Sequence, residues 1–243
     1  MNILNDILNS VKEKQKLLAV LIDPDKMKLE SLPDFMQKLN ASIATHIFVG
    51  GSTVKDKATE RLVVEIKALT ELPVVIFPGD VSQITAYAHA ILFLSLISGR
   101  NADYLIGKHV ASVSKLRATN LEVIPTGYIL VENGKETAVQ KVTGTQPMSY
   151  TNPKQIIDTA KAGELLGLKL MYLEAGSGAI LPVSTEIIKR TKATLSIPLI
   201  VGGGIRTKEQ LDKAYQSGAD LVVIGTAFEE DKAFFNELKK ETH

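Results

Sequence analysis

A chain of 243 residues is long enough for one large domain or two small ones. Apolar residues make up 45% and charged residues 23%, which supports a full core and excludes extensive disorder. A net charge of +1 with no basic run argues against nucleic acid as a partner. The absence of cysteine excludes disulfides, thiolate metal sites and cysteine nucleophiles, and fits a cytoplasmic chain.

The first segment, MNILNDILNSVKEKQK, sets Ile3, Leu4, Ile7, Leu8 and Val11 at helical spacing. An amphipathic N-terminal helix is expected there rather than a signal peptide. Eight short apolar runs follow: LLAVLI (17–22), HIFVGG (46–51), PVVIF (73–77), ILFLSL (91–96), EVIPTGYILV (122–131), LKLMYLEA (168–175), PLIVGG (198–203) and ADLVVIG (219–225). They are apolar on both faces and rich in β-branched residues, the mark of buried parallel strands. Helical periodicity is predicted over 31–40, 54–71, 103–118, 153–166, 183–194, 207–217 and 228–239. The third unit is the exception. Only Pro78 to Ala90 separate the third and fourth strands, so its helix is expected to be short or missing. The most apolar stretch, AILFLSLI (90–97), falls far short of the roughly 20 residues a membrane-spanning helix needs. Strands alternating with helices form right-handed βαβ units. Eight of them in this length predict an α/β (β/α)8 TIM barrel, one domain over 1–243, with an extra N-terminal helix. The rival, an open doubly wound sheet, lacks a glycine-rich fingerprint after the first strand.

In such a barrel, function sits on the loops after the strands. The first strand ends in Asp23, Asp25 and Lys26, and the second in Gly50, Gly51, Ser52 and Thr53. The sixth ends in Tyr172, Leu173, Glu174, Ala175, Gly176, Ser177 and Gly178. The seventh runs into Gly202, Gly203 and Gly204, with Thr207 as a helix cap, and the eighth ends in Gly225 and Thr226. Three glycine turns meeting beside strands seven and eight point to a phosphate; the plain alternative is turn chemistry. Asp23 with Ser52 offers oxygen ligands for Mg2+, or Asp23 simply caps the turn that Asp-Pro starts. Glu174 ends an apolar strand, where a carboxylate is costly unless it binds or reacts. Tyr172 shares its face by the period-two rule, and the two can hold a polyol beside the phosphate. His46, His89, His109 and His243 have no metal spacing and read as structural or solvated.

With these residues in view, the chain resembles the geranylgeranylglyceryl phosphate synthase family, which includes heptaprenylglyceryl phosphate synthases. The marks are LIDPDK, FVGGST, GRNADYLIG, YLEAGSGA, VGGGIRT and VIGTAFEE, in order and at the expected strand ends. The N-terminal helix and LIDPDK are similar to the larger of two family groups, often oligomeric beyond a dimer. The resemblance implies a cytoplasmic transferase of lipid biosynthesis. In it, the sn-3 hydroxyl of sn-glycerol 1-phosphate attacks C1 of geranylgeranyl diphosphate or another polyprenyl diphosphate, and diphosphate leaves. It implies Mg2+ at Asp23 and Ser52, glycerol phosphate on Tyr172 to Gly178, Gly203, Gly204, Gly225 and Thr226, and catalytic roles for Asp23 and Glu174. Smaller members carry Lys where this chain has Leu21. The irregular third unit and ILFLSLI are expected to line a groove for the prenyl tail. Two other readings remain: a phosphosugar isomerase or aldolase-like barrel using Lys26 or Lys169, and a phosphate-binding scaffold without turnover.

Overall fold

The parity of the apolar runs fixes the architecture. In the computed structural model, which describes residues 2–55, 57–230 and 234–240, each run contains one strand. These are β1 (Leu17–Ile22), β2 (His46–Val49), β3 (Val74–Ile76), β4 (Ala90–Leu96), β5 (Glu122–Leu130), β6 (Leu170–Glu174), β7 (Leu199–Gly202) and β8 (Leu221–Ile224). All pair in parallel and in sequence order, and β8 returns to β1 to close the barrel. The TIM-barrel expectation holds.

The described helices are α1 (Ile3–Lys12), α2 (Leu32–Asn40), α3 (Ala58–Lys67), α4 (Lys108–Arg117), α5 (Ala138–Thr143), α6 (Pro153–Leu165), α7 (Thr185–Thr194), α8 (Lys208–Gln216), α9 (Thr226–Glu230) and α10 (Phe234–Glu237). Residues 231–233 of the predicted 228–239 helix, Asp56 of the predicted 54–71 helix, and His243 lie outside the described residues. Helix α3 starts later than its periodicity suggests, because Lys57 takes a left-handed conformation (φ 60°) that ends helical geometry. Thr207 caps α8 as expected, accepting the Gln210 N–H at 3.2 Å. The sequence reading passed over α5. Its signals are Thr137, which accepts the Gln140 N–H at 3.1 Å, and Gly144 in the left-handed region at the other end.

Between β3 and β4 no full helix forms among the described residues; a single 3-10 turn, Val81–Gln83, takes its place. Asp80 caps it by accepting the Ser82 N–H at 3.0 Å. The buried Gln83 amide ties the turn down, donating to Gly51 O at 2.8 Å and accepting from Gly79 N at 3.2 Å. The barrel is therefore open on that side.

Alternation along the strands creates two cores. Leu17, Ala19, Phe48, Val75, Leu92, Leu170, Tyr172, Ile200 and Val223 fill the barrel interior. Leu18, Val20, Ile22, Ile47, Val49, Leu173 and Val201 face the helices. Helix α1 closes the end of the barrel at which the strands begin, sending Ile3 and Ile7 into the interior cluster. The Glu122 carboxylate, at the start of β5, accepts the N–H groups of Ile3 (2.5 Å) and Leu4 (2.9 Å) and so fastens the helix by its N-terminus. Glu122→Ala is expected to lower stability by about 1 kcal/mol, and Ile7→Ala by about 2–5 kcal/mol. Denaturant melts measure both losses. Hydrogen exchange should quicken in α1 and leave the loops at the opposite end unchanged.

Candidate active site

The loops after the strands enclose a cavity of about 280 Å3. Of the predicted site residues, Asp23, Ser52, Tyr172, Glu174, Gly176, Ser177, Gly178, Gly203, Gly204, Gly225 and Thr226 line it together. Leu173 and Ala175 do not: by parity their side chains join the core that faces the helices. The cavity also receives Arg206 and Lys26. Arg206 follows the glycine triplet, and its guanidinium donates to Ala179 O at 2.8 Å, linking the loops of β7 and β6. The Ser177 and Thr226 hydroxyls meet at 3.2 Å and link the loops of β6 and β8.

Glu174 pairs in register with Leu130 on one side and Gly202 on the other. Its carboxylate is 5% exposed and accepts the Gly176 N–H at 2.6 Å. Burial pushes this carboxyl above the ordinary glutamate value; the nearby Tyr172 hydroxyl and the Gly176 N–H offset the rise only in part. The Tyr172 hydroxyl is buried and completes no hydrogen bond; it lies near the Glu174 carboxylate without reaching bonding geometry. A buried, unsatisfied hydroxyl beside a carboxylate suits a polar ligand group. Gly203 (φ +83°) passes so close that a Cβ there would lie 2.5 Å from Glu174 Oε1 and 2.6 Å from Gly176 N. Gly204 (φ +73°) instead abuts the Leu181–Pro182 backbone.

Asp23 caps the turn, as one of its two sequence readings expected. One oxygen accepts the Asp25 N–H at 3.0 Å, capping the turn, while the other lies 3.9 Å from Lys26 Nζ. The carboxylate is 22% exposed, and burial raises its proton affinity above that of an ordinary aspartate, with the Asp25 N–H and Lys26 opposing. Gly51 leaves the carboxylate open, since a Cβ there would sit 3.2 Å from Oδ2. A half-desolvated carboxylate beside a serine fits a hard cation. Among the described residues no three acidic, histidine or cysteine side chains cluster, so ligand phosphates would have to complete the shell. Leu21, where smaller members of the family resembled have Lys, lines the cavity against Gly225.

A second cavity, about 110 Å3, occupies the side left open by the missing helix. Phe77, Leu92, Leu94, Leu96, Tyr104, Val139 and Val142 are among its walls, so the third unit and β4 line an apolar groove as expected. The two cavities share Gly51, Ser52, Phe77, Tyr128 and Val139. At this junction Phe77, Tyr128 and Tyr172 form an aromatic cluster with ring centroids 5.3–5.9 Å apart. Sequence reasoning named neither Phe77 nor Tyr128; their signal was inward parity next to the irregular unit. His109 also lines the groove, edge-on to Phe93 at 4.3 Å, and burial lowers its pKa below the ordinary histidine value. His46 is buried, bonds to Thr45 Oγ1 at 2.8 Å and is pushed down to about 4. His89 Nδ1 accepts the Val74 N–H at 2.9 Å.

A polar mouth continuous with an apolar side groove defines a TIM barrel built for an amphiphile with a charged head. Residues 9–242 match the PcrB family, and the chain belongs to it. It is 56% identical to the geranylgeranylglyceryl phosphate synthase of Flavobacterium johnsoniae, over 95% of each chain. Against that of Thermococcus gammatolerans identity is 39%, over 94% of this chain and 90% of the other. The solved (S)-3-O-geranylgeranylglyceryl phosphate synthase of Thermoplasma acidophilum, in complex with substrate sn-glycerol-1-phosphate, superposes with a TM-score of 0.91. It is 34% identical, over 98% of this chain and 96% of that one.

The buried charge makes a prediction about stability. A carboxyl whose folded pKa is raised stabilises the fold fully only below its unfolded value near 4.5, and that contribution is lost as pH rises through the folded value. Glu174→Gln removes this loss while keeping an acceptor for Gly176. Its melting temperature should exceed that of the wild type at neutral pH, and the gap should close as pH falls toward 4.5. A pH series of melting curves for the two proteins measures this.

Proposed function

We propose that the chain is a geranylgeranylglyceryl phosphate synthase. It is a prenyltransferase that joins the sn-3 hydroxyl of sn-glycerol 1-phosphate to C1 of geranylgeranyl diphosphate or another long polyprenyl diphosphate. The observation that carries this reading is the continuity of the polar mouth with the apolar groove, in a chain whose relatives bear that name. Such a reaction needs a diphosphate and a long hydrocarbon in one ligand, with a hydroxyl nucleophile at their joint.

In this reading the glycerol phosphate lies over Gly203 and Gly204, with its phosphate among Ser177, Gly178, Gly225 and Thr226 and its hydroxyls toward Tyr172 and Glu174. Glu174 accepts the proton as the sn-3 oxygen forms its bond to C1 and the bond from C1 to diphosphate oxygen breaks. Desolvation raises the basicity of this carboxylate toward that task. Asp23 and Ser52 would hold Mg2+ on the diphosphate side, where the bound metal would supply Lewis-acid neutralisation of the leaving diphosphate. The prenyl tail lies in the side groove, where each buried CH2 contributes about 0.8 kcal/mol, and the aromatic cluster keeps water from the reacting carbon. No described helix is long and apolar enough to cross a membrane. We assign the enzyme to the cytoplasm, where a cysteine-free chain is at home, as one catalytic barrel that assembles into a homo-oligomer.

Incubation with sn-glycerol 1-phosphate, Mg2+ and prenyl diphosphates of graded length tests the reading, with the ether product detected by mass. No product with any chain length would overturn it, and an isomerised or cleaved sugar phosphate would favour the aldolase-like alternative. Asp23→Asn should abolish most transfer yet leave calorimetric binding of glycerol phosphate nearly intact, and full turnover after EDTA treatment would dismiss the metal. Glu174→Gln should slow the chemical step by roughly two to four decades, the usual scale for a lost general base. The double variant Ser177→Ala with Thr226→Val should weaken glycerol phosphate by about one decade while leaving prenyl diphosphate affinity unchanged. Loss of both ligands together would place the phosphate elsewhere.

A further inference from the structure

The apolar side groove contains one ion pair. Among the described residues that line it, Asp80 and Lys108 alone carry charged acidic or basic side chains. Asp80 begins the short turn that replaces the third helix, and Lys108 begins α4, whose Lys115 also donates to the turn carbonyls of Val81 and Ser82. Their side chains bond directly. An ion pair that only held two loops together would do as well at any point on the rim, so its position along the groove matters.

That position is the head end. Asp80 follows Gly79, which lies against Ser52: a Cβ on Gly79 would sit 2.9 Å from Ser52 Cα and 2.8 Å from its carbonyl oxygen. Ser52 is one of the residues where the groove joins the polar mouth. The Lys108 ammonium thus stands close to the joint between the charged and apolar halves of a bound amphiphile. It lies 5.0 Å from the centroid of the Tyr104 ring, a contact that suits a cation while restricting the stem. The pair is partly exposed, with 32% of the Lys108 and 46% of the Asp80 side chain open to solvent. Solvent screening keeps such a pair weak, so exchanging one anionic partner for another is cheap. A diphosphate carries more charge than a carboxylate and offers more acceptor oxygens to an ammonium.

We propose that Lys108 is a binding and specificity residue for the diphosphate of the prenyl substrate, resting on Asp80 in the free protein and transferring to diphosphate oxygens when the substrate enters. This rests on the prenyl-transfer reading. It supplies a protein cation on the groove side of the diphosphate in a chain that has Leu21 on the mouth side. Asp80 then acts as a positioning residue that holds the ammonium at the joint and competes with the ligand for it.

The two partners are therefore expected to respond in opposite directions, which a structural clasp would not do. In steady-state assays on the full chain, Lys108→Gln should raise the KM for geranylgeranyl diphosphate about tenfold or more and leave the KM for sn-glycerol 1-phosphate unchanged. Inorganic diphosphate should inhibit that variant correspondingly less. Asp80→Asn should leave the KM for geranylgeranyl diphosphate equal to or below that of the wild type. Geranylgeraniol, which keeps the tail and lacks the diphosphate, should bind both variants as it binds the wild type. If Lys108→Gln and Asp80→Asn raise the prenyl KM alike, or if geranylgeraniol binding falls as much as diphosphate binding, the pair is a clasp and the proposal fails. An unchanged prenyl KM in Lys108→Gln overturns it too. Absence of product with wild type would instead sink the prenyl-transfer reading, so the two failures are distinguishable.

Discussion

The closed parallel ladder is the constraint on which the site depends. Once β8 pairs with β1, each strand has one inward and one outward row, and a slip of one residue would exchange them. On β6 this parity sends Tyr172 and Glu174 inward and leaves Leu173 and Ala175 to the helices. Registry with β7 then sets Glu174 opposite Gly202, and the next residue, Gly203, closes over the carboxylate. The geometry at the mouth follows from strand pairing, with no need for a flexible side chain to find its place.

The barrel's second property comes from an omission. A full helix between β3 and β4 would cover the side of the sheet, as helices do elsewhere in the fold. The turn Val81–Gln83 instead leaves Ile91 and the half-buried Phe93, on the row of β4 that faces the helices, among the walls of a groove. An apolar surface open to water is unfavourable at about 25 cal/mol per Å2, and a hydrocarbon ligand relieves that exposure. The groove and the mouth share residues, so one ligand can satisfy both. In the proposed function, burying the tail would fix the head, and holding the head near Asp23 and Ser52 would present the reactive carbon at the junction.

Much of this was legible because each feature rests on a short-range pattern. Eight apolar runs separated by helical periodicity define the barrel, and the thirteen residues from Pro78 to Ala90 are too few for the usual helix and its two loops. Glu174 announced itself as a carboxylate at the end of an apolar run, and Asp23 as an acid at a strand end, where it caps the turn and also lines the cavity. What stayed hidden depends on distance in sequence. The pairing of Asp80 with Lys108 joins residues 28 positions apart in the chain. Arg206 enters the cavity because its guanidinium reaches the loop after β6. Helix α5 was missed because six residues give too little periodicity, so only its caps marked it. The resemblance takes the β6 motif as continuous, whereas a strand presents alternate side chains, so Leu173 and Ala175 turn theirs to the helices.

The glycines after β7 show why a motif and its chemistry must be separated. Gly203 and Gly204 both sit at positive φ, and each also has a close steric neighbour. At Gly203 that neighbour is Glu174 and the Gly176 amide, parts of the proposed site. At Gly204 it is the Leu181–Pro182 backbone, which belongs to the fold. Any side chain at Gly204 would strain the backbone and displace that loop whether or not a phosphate ever bound there, so a loss of affinity in such a variant would not identify a cradle. Ser177 and Thr226 carry the phosphate question more cleanly. Their hydroxyls meet at 3.2 Å across two loops, in ordinary backbone conformations, and removing them leaves the glycine turns intact. The polar side chains at the mouth therefore report on binding, while the glycines report first on how closely two strand ends can approach.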